Sequence, residues 1–240
     1  MIERRRLLLM RHGAVDYFDA DGRPYPPDAV PLTPVGIEQA RAMGAALAAA
    51  GLRIDRAITS GLVRTRQTAA HVLEASGLSP SIEHWSQLQE IRAGHLPSIP
   101  DAELRAAFIA AFEGPVARET RFLHGETIGE LLDRTLPALQ RLLTAQDWDT
   151  ALMVLHGGVN RGLLSWFLTG QAVFLGGLAQ DTGCLNIIDV GTGPATSVVR
   201  VINFCPIDTL QTTTRLSTME HLLQKYLKLR ERRSDLGDPG

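Results

Sequence analysis

The sequence predicts an α/β layered fold with a mainly parallel sheet, and three observations carry that expectation. The apolar runs LLLM at residues 7–10 and ALMVL at 151–155 show no alternation, the pattern of strands covered by helices on both faces. Strand-like runs alternate with segments of helical spacing along most of the chain, which points to right-handed crossovers between parallel strands. Helix ends carry chemical markers: Thr33 before Pro34, and glycines at positions 51 and 77.

Taken in order, residues 5–10 form a central strand. The stretch AVDYFDADGRPYPPDAVP, 14–31, is too rich in Asp, Gly and Pro for a helix or an inner strand and reads as a long loop. Loops of that length are uncommon unless they do something. Thr33 caps a helix that runs to residue 50. Residues 56–60 form a short strand, 62–76 a second helix, and 81–85 a further short strand. After a looser stretch at 94–100, helical patterns return at 102–112 and 127–143. A strand at 150–156 leads into a helix over about 159–168. CLNIIDVG and SVVRVINF form a hairpin around a Gly-rich turn, and a last helix spans about 217–233 before a Gly/Pro/Asp tail. No linker divides the chain, so residues 1–240 are expected to be one domain, with a substrate loop at 14–31 and a helical insertion at about 94–122 over the active face.

Composition narrows the partners. With 24 basic and 26 acidic residues, the formal net charge is −2, which offers no electrostatic reason to expect nucleic acid or an anionic membrane. Cys184 and Cys205 sit in or beside apolar runs without metal-binding spacing and read as core hydrophobes. The apolar run behind Arg4, Arg5 and Arg6 is too short for a signal peptide, and no segment is long enough to span a membrane. The expectation is a cytoplasmic protein, monomer or homodimer.

Chemistry concentrates at strand ends, where ligands bind in such sheets. LLLMRHG closes a strand on Arg11, His12 and Gly13, and LMVLHGG closes another on His156, Gly157 and Gly158. TSGLVRTRQTA brings Arg64 and Arg66 into the first turns of a helix, where a cation opposes the helix dipole and a bound anion would offset it. Thr59, Ser60 and Thr65 add hydroxyls, one of them expected as the N-cap. Arg161 reads as a weakly placed ligand contact or as simply solvated. Two guanidinium forks match phosphate oxygens, and a neutral imidazole is nucleophilic near neutral pH. No acidic cluster accompanies the site, so a magnesium-dependent mechanism is not called for, since arginines and histidines can do a metal's electrostatic work. A leaving alkoxide needs a proton, and Glu90, Asp16, Asp19 and Glu126 are all candidates to supply it. Tyr17, Phe18 and Tyr25 either wall the substrate or pin the loop. Arg92 and His95 could meet a second negative group. Trp148 and Trp166 read as core, and the stripe Met219, Leu222, Leu223, Tyr226, Leu227 as the packing face of the last helix on its own sheet.

These motifs, in this order, resemble the histidine phosphatases, the phosphoglycerate mutase-like superfamily. LLLMRHG is similar to its Arg-His-Gly opening, LTPVGIEQA to its first-helix entry, TSGLVRTRQTA to its Ser-x-Leu-x-Arg segment, LQEIRAG to Leu-x-Glu, HGET to Gly-Glu-Ser and VLHGGVNR to its second histidine motif. The resemblance implies a three-layer α/β/α sandwich without a cofactor. It also implies a phosphohistidine at His12, a clamp of Arg11, Arg64 and His156 on the phosphoryl group, and Glu90 as acid then base. Glu126 would lie at the pocket edge, holding an arginine or substrate hydroxyls, with Gly157, Asp16 and Tyr17 along the rim. Where the family often continues with Glu-Thr, this chain has Ala14, Val15 and Asp16; Thr127 stands where Ser is usual. The expected activity is phosphomonoester hydrolysis of a small metabolite. The alternatives are a phosphoglycerate-type mutase and a non-catalytic phospho-ligand binder.

Overall fold

The structure is a computed structural model and describes residues 3–18, 25–210, 212 and 215–235. In chain order its elements are β1 (Arg5–Arg11), α1 (Pro34–Ala49), β2 (Arg56–Thr59), α2 (Val63–Ser76), β3 (Ile82–His84), α3 (Asp101–Ile109), β4 (Pro115–Val116), α4 (Ile128–Thr144), β5 (Thr150–Leu155), α5 (Gly157–Thr169), β6 (Phe174–Leu175), β7 (Leu185–Val190), β8 (Val198–Phe204) and α6 (Thr218–Asp235). Six strands form one sheet in the order β3-β2-β5-β1-β7-β8. The first four are mutually parallel, and the β7–β8 hairpin joins antiparallel to β1.

The unalternating runs are explained by two helical layers. Leu7 and Leu9 join Ala151, Met153 and Leu155 in a core shared with α4 and α5. Leu8 and Met10 join Leu152 and Val154 in a second core under α1 and α2. Leu7, Leu8, Leu9 and Met10 are all 0% exposed, and each such side chain contributes about 1.5–3 kcal/mol by leaving water. β1 and β5 are therefore the most deeply buried pair, and their C-terminal ends lie side by side in register, Arg11 opposite Leu155.

Local chemistry sets the helix boundaries. Thr33 accepts the Gly36 N–H, with Pro34 at the first helical position. α4 opens on a capping box, with Thr127 and Glu130 bonding each other's backbone N–H. α2 differs from expectation. Leu62 is its N-cap, and no side chain caps it, so Thr59, Ser60 and Thr65 are free for other partners. α5 begins at Gly157, two residues before the expected start, because His156 itself occupies the cap position. α3 ends at Ile109 and tightens into a 3-10 turn, Ala110–Phe112. The ribbon β4–β6 pairs two segments of two residues, too short for a pattern of hydrophobicity to announce. α6 packs on α3 rather than on the sheet, with the Tyr226 and Phe108 rings 5.9 Å apart and Arg230 bonded to Asp101. Cys184 is buried as expected, whereas Cys205 is only half-buried beyond the edge strand. Trp148 is buried, and Trp166 packs against the same core.

Gly13 does not open the backbone to a ligand, because the α1 backbone fills that space. A Cβ at Gly13 would lie 2.4 Å from Gly36 O, and one at Gly36 would lie 2.2 Å from Ala14 O. Glycine-to-alanine inside a helix normally stabilises by about 1 kcal/mol. G36A should reverse that sign and destabilise by about 1–3 kcal/mol through forced separation of β1 and α1. Denaturant unfolding measures it, and a stabilised G36A would show that the two backbones do not interlock.

Candidate active site

The ends of β1 and β5 bring two histidines together. His12 and His156 are 1% and 0% exposed, and their rings meet edge to face with centroids 5.3 Å apart. Arg11 and Arg64, 6% and 4% exposed, flank them. The Arg11 Nη1 donates to Gln180 O and, at 2.9 Å, to Thr218 Oγ1 at the start of α6. The Arg64 Nη1 donates to Pro27 O in the long loop at 2.8 Å. Among the described residues, the buried side-chain polar atoms left without a partner are Arg11 Nε, Arg64 Nε, His156 Nδ1 and Asn160 Oδ1. Asn160 lies in the first turn of α5, its N–H bonded to His156 O.

Hydrogen-bond donors and acceptors determine which nitrogen of His12 is free. Its Nδ1 lies 2.8 Å from Gly13 O. A carbonyl only accepts, so Nδ1 carries the proton and Nε2 keeps its lone pair. Burial pushes the His12 imidazole well below its ordinary value, and the charges of Arg11 and Arg64 push the same way. His156 is driven down by burial first, then by Arg64, His12, Arg11 and Arg134. Both rings are neutral near pH 7. Behind His156, Ser60 Oγ lies 2.8 Å from its Nε2 and 3.0 Å from Thr65 Oγ1, and Thr65 donates to Leu62 O at 2.8 Å. Thr59 lies one residue away but turns to His84, 2.7 Å from its Nδ1.

The carboxylates are placed differently from one another. Glu90 accepts from Ile91 N–H at 2.9 Å and from Gly158 N–H at 3.1 Å. The Gly158 N–H in the first turn of α5 thus binds a carboxylate of its own chain, and a Cβ at Gly158 would lie 2.6 Å from Glu90 Oε1. Glu126 is paired twice with Arg134, at 2.7 and 2.8 Å. Burial raises its carboxyl, but the Arg134 hydrogen bond, the Arg92 N–H and the arginine charges hold it below the usual range. Arg134 also donates to the carbonyls of Gln87, Gln89 and Glu90. Anchored on α4, it clamps the segment that carries Glu90.

The rim residues divide. Asp16 pairs with Lys225 of α6 at 2.6 Å, both side chains nearly half exposed, and Tyr17 accepts the Tyr25 N–H through its backbone carbonyl. Asp19 lies outside the described residues. Arg66, Arg92 and His95 are exposed. Arg161 is not solvated: it is 6% exposed, bonded to Gly157 O and Gly176 O, and burial followed by the Arg11 charge pushes its guanidinium down to about 10. Gln180, Thr218 and Arg134 had no local signal, since each matters through a contact distant in sequence. The hydroxyls of Ser60 and Thr65 were visible as additions to the site, but neither they nor Thr59 supplies the expected N-cap, and their partners could not be read locally. Among the described residues, no three His, Cys, Asp or Glu side chains group as metal ligands would, and no helix is long and apolar enough to cross a membrane.

Comparison with known proteins adds independent findings. The profile described as the histidine phosphatase superfamily (branch 1) matches residues 7–203. The adenosylcobalamin/alpha-ribazole phosphatase of Salmonella typhimurium is 30% identical over 203 residues, covering 82% of this chain and 96% of that protein. A 2,3-bisphosphoglycerate-dependent phosphoglycerate mutase of Methylobacterium radiotolerans is 32% identical over 173 residues, 67% of this chain and 77% of that protein. The alpha-ribazole phosphatase structure from Shigella flexneri superposes with a TM-score of 0.63 at 26% identity, covering 82% of this chain and 96% of that one.

The neutral rings set the sign of a pH dependence. Below about pH 6.5 an unfolded histidine binds a proton that the folded site resists, so the unfolded state binds more protons and stability rises with pH. The melting temperature of the phosphate-free protein should fall as pH drops from about 7 to 5, and fall less in H156Q. Parallel declines in the two proteins would mean that His156 charges freely in the folded state.

Proposed function

The chain belongs to the histidine phosphatase superfamily (branch 1), a hydrolase or mutase type acting on small phosphorylated metabolites, and from that premise we propose that it is a phosphomonoester hydrolase working through a phosphohistidine. The observation that carries the proposal is the group of buried, partnerless nitrogens, Arg11 Nε, Arg64 Nε and His156 Nδ1, beside a neutral His12 ring whose Nε2 keeps its lone pair. The two guanidinium N–H groups lacking acceptors beside a nucleophile suit a tetrahedral anion more than any neutral ligand.

In this reading His12 Nε2 attacks phosphorus, the N–P bond forms and the P–O bond to the alcohol breaks. Arg11, Arg64 and His156 hold the equatorial oxygens, where charge is spread in the transition state. Glu90 gives its proton to the leaving alkoxide. It then takes one from water, whose oxygen attacks phosphorus as the N–P bond breaks. The two N–H bonds use one lone pair on each Glu90 oxygen and leave another for this work. Positive charge comes from arginine, so the reaction is metal-independent, and the whole chain serves one catalytic unit. Glu126 acts on the rim through Arg134, with Gly157, Asp16 and Tyr17 bordering the substrate. The breadth of the match to the Salmonella phosphatase makes α-ribazole 5′-phosphate the first ester to test.

A mutase remains the second reading, favoured by one observation. Both rings are essentially inaccessible, with Thr218 of α6 bonded to Arg11, and a site closed to water can return the phosphoryl group to substrate. Phosphate release measured beside interconversion of 2- and 3-phosphoglycerate separates the two.

Hydrolysis of an aryl phosphate should persist in chelator and leave an acid-labile phosphoprotein on quenching. H12A should fold, lose turnover to near the uncatalysed level and trap no phosphate; equal turnover in H12A would end the hydrolase proposal. E90Q should slow alkyl esters by roughly 10²–10⁴-fold, the usual worth of a general acid, and aryl esters much less. Equal losses for both would make Glu90 a positioning group.

A further inference from the structure

The two rings differ in what stands behind them. Thr65 has one hydroxyl proton, and it goes to Leu62 O at 2.8 Å, because a carbonyl can only accept. Thr65 Oγ1 is therefore the acceptor toward Ser60, 3.0 Å away, and the single Ser60 proton points there. Ser60 Oγ then has only lone pairs to offer, to Leu62 N–H at 3.4 Å and to His156 Nε2 at 2.8 Å. His156 Nε2 must carry a hydrogen. In the neutral ring, Nδ1 is left as a bare lone pair, and Nδ1 is the buried atom without a partner. A bare lone pair repels a phosphate oxygen.

We propose that the Ser60–Thr65 hydroxyl relay makes His156 a proton-coupled anion receptor: a phosphate dianion is held there only as Nδ1 takes a proton from solvent. This rests on the phosphoryl-transfer reading above. The step balances as neutral imidazole, dianion and one proton giving an imidazolium–dianion pair, with an N–H bond the only bond made. The charged and titratable groups around the ring are Arg11 at the end of β1, His12 just beyond it, Arg64 from α2 and Arg134 from α4, with Glu90 held at Gly158 N. These cations and the burial keep the ring neutral until an anion arrives and reverses the balance. His12 needs no proton at Nε2, since that nitrogen attacks. Ser60 and Thr65 are positioning residues: they touch no substrate and act by fixing which nitrogen of His156 is protonated.

The test is calorimetry of inorganic phosphate binding to the full chain at about pH 8, in buffers of different ionisation enthalpy, which counts protons. Wild type should take up about one proton per phosphate bound. T65V removes the acceptor for Ser60, whose hydroxyl then donates to Nε2. The neutral ring now carries its hydrogen on Nδ1, so uptake should fall toward zero while phosphate still binds, and T65S should restore it. Ring-nitrogen NMR of the unliganded wild type gives a second readout and should find His156 as the Nε2–H tautomer. An Nδ1–H tautomer, a wild-type uptake of zero, or unchanged uptake in T65V would overturn the relay. Failure of phosphate to bind the wild type would instead sink the phosphoryl-transfer reading, and the NMR result would still judge the relay.

Discussion

Arg11 and Arg64 are buried at the mouth of the sheet, and among the described residues no carboxylate is bonded to either and each Nε lacks an acceptor. A buried donor left unsatisfied costs about 1–3 kcal/mol, more when charged, so this corner of the fold is held against its own preference. What holds it is the apolar interior beneath. β1 and β5 are sealed between two helical layers, and their strand ends cannot shift without disturbing both cores. The neutral state of both histidines follows from the same arrangement, since burial and two fixed cations disfavour any further positive charge.

The remaining polar groups mostly restrain one another. Arg134 gathers Glu126 and three carbonyls of the segment that bears Glu90, so a residue of α4 sets where that carboxylate can lie. The N-terminus of α5, which in many α/β proteins receives an outside anion, is given to Glu90. The guanidinium groups beside it have planar geometry that favours phosphoryl oxygens over a point-like charge.

Strand identity, sheet class and the four flanking residues Arg11, His12, Arg64 and His156 were legible in the sequence for a simple reason. Each sits within one or two residues of a strand or helix terminus, and parallel strands deliver their C-terminal ends to one edge. Legibility failed where a partner is far away in sequence. The contact of Arg11 with Thr218, the pairing of the β4–β6 ribbon and the burial of Arg161 depend on how layers meet, and no local pattern encodes them. The hydroxyls of TSGLVRT were legible, but the N-cap expected among them is absent. A Ser or Thr near a helix start ordinarily caps it, and here a histidine one strand away competes successfully for Ser60.

The loop and the last helix meet above this corner, Asp16 on Lys225 and Arg11 on Thr218, while Pro27 closes over Arg64. With those contacts in place His12 and His156 are 1% and 0% exposed. In the proposed reaction, traffic into and out of the crevice requires a transient parting of chain segments more than two hundred positions apart, and the frequency of that parting would set a ceiling on turnover that no improvement in bond-making chemistry can raise.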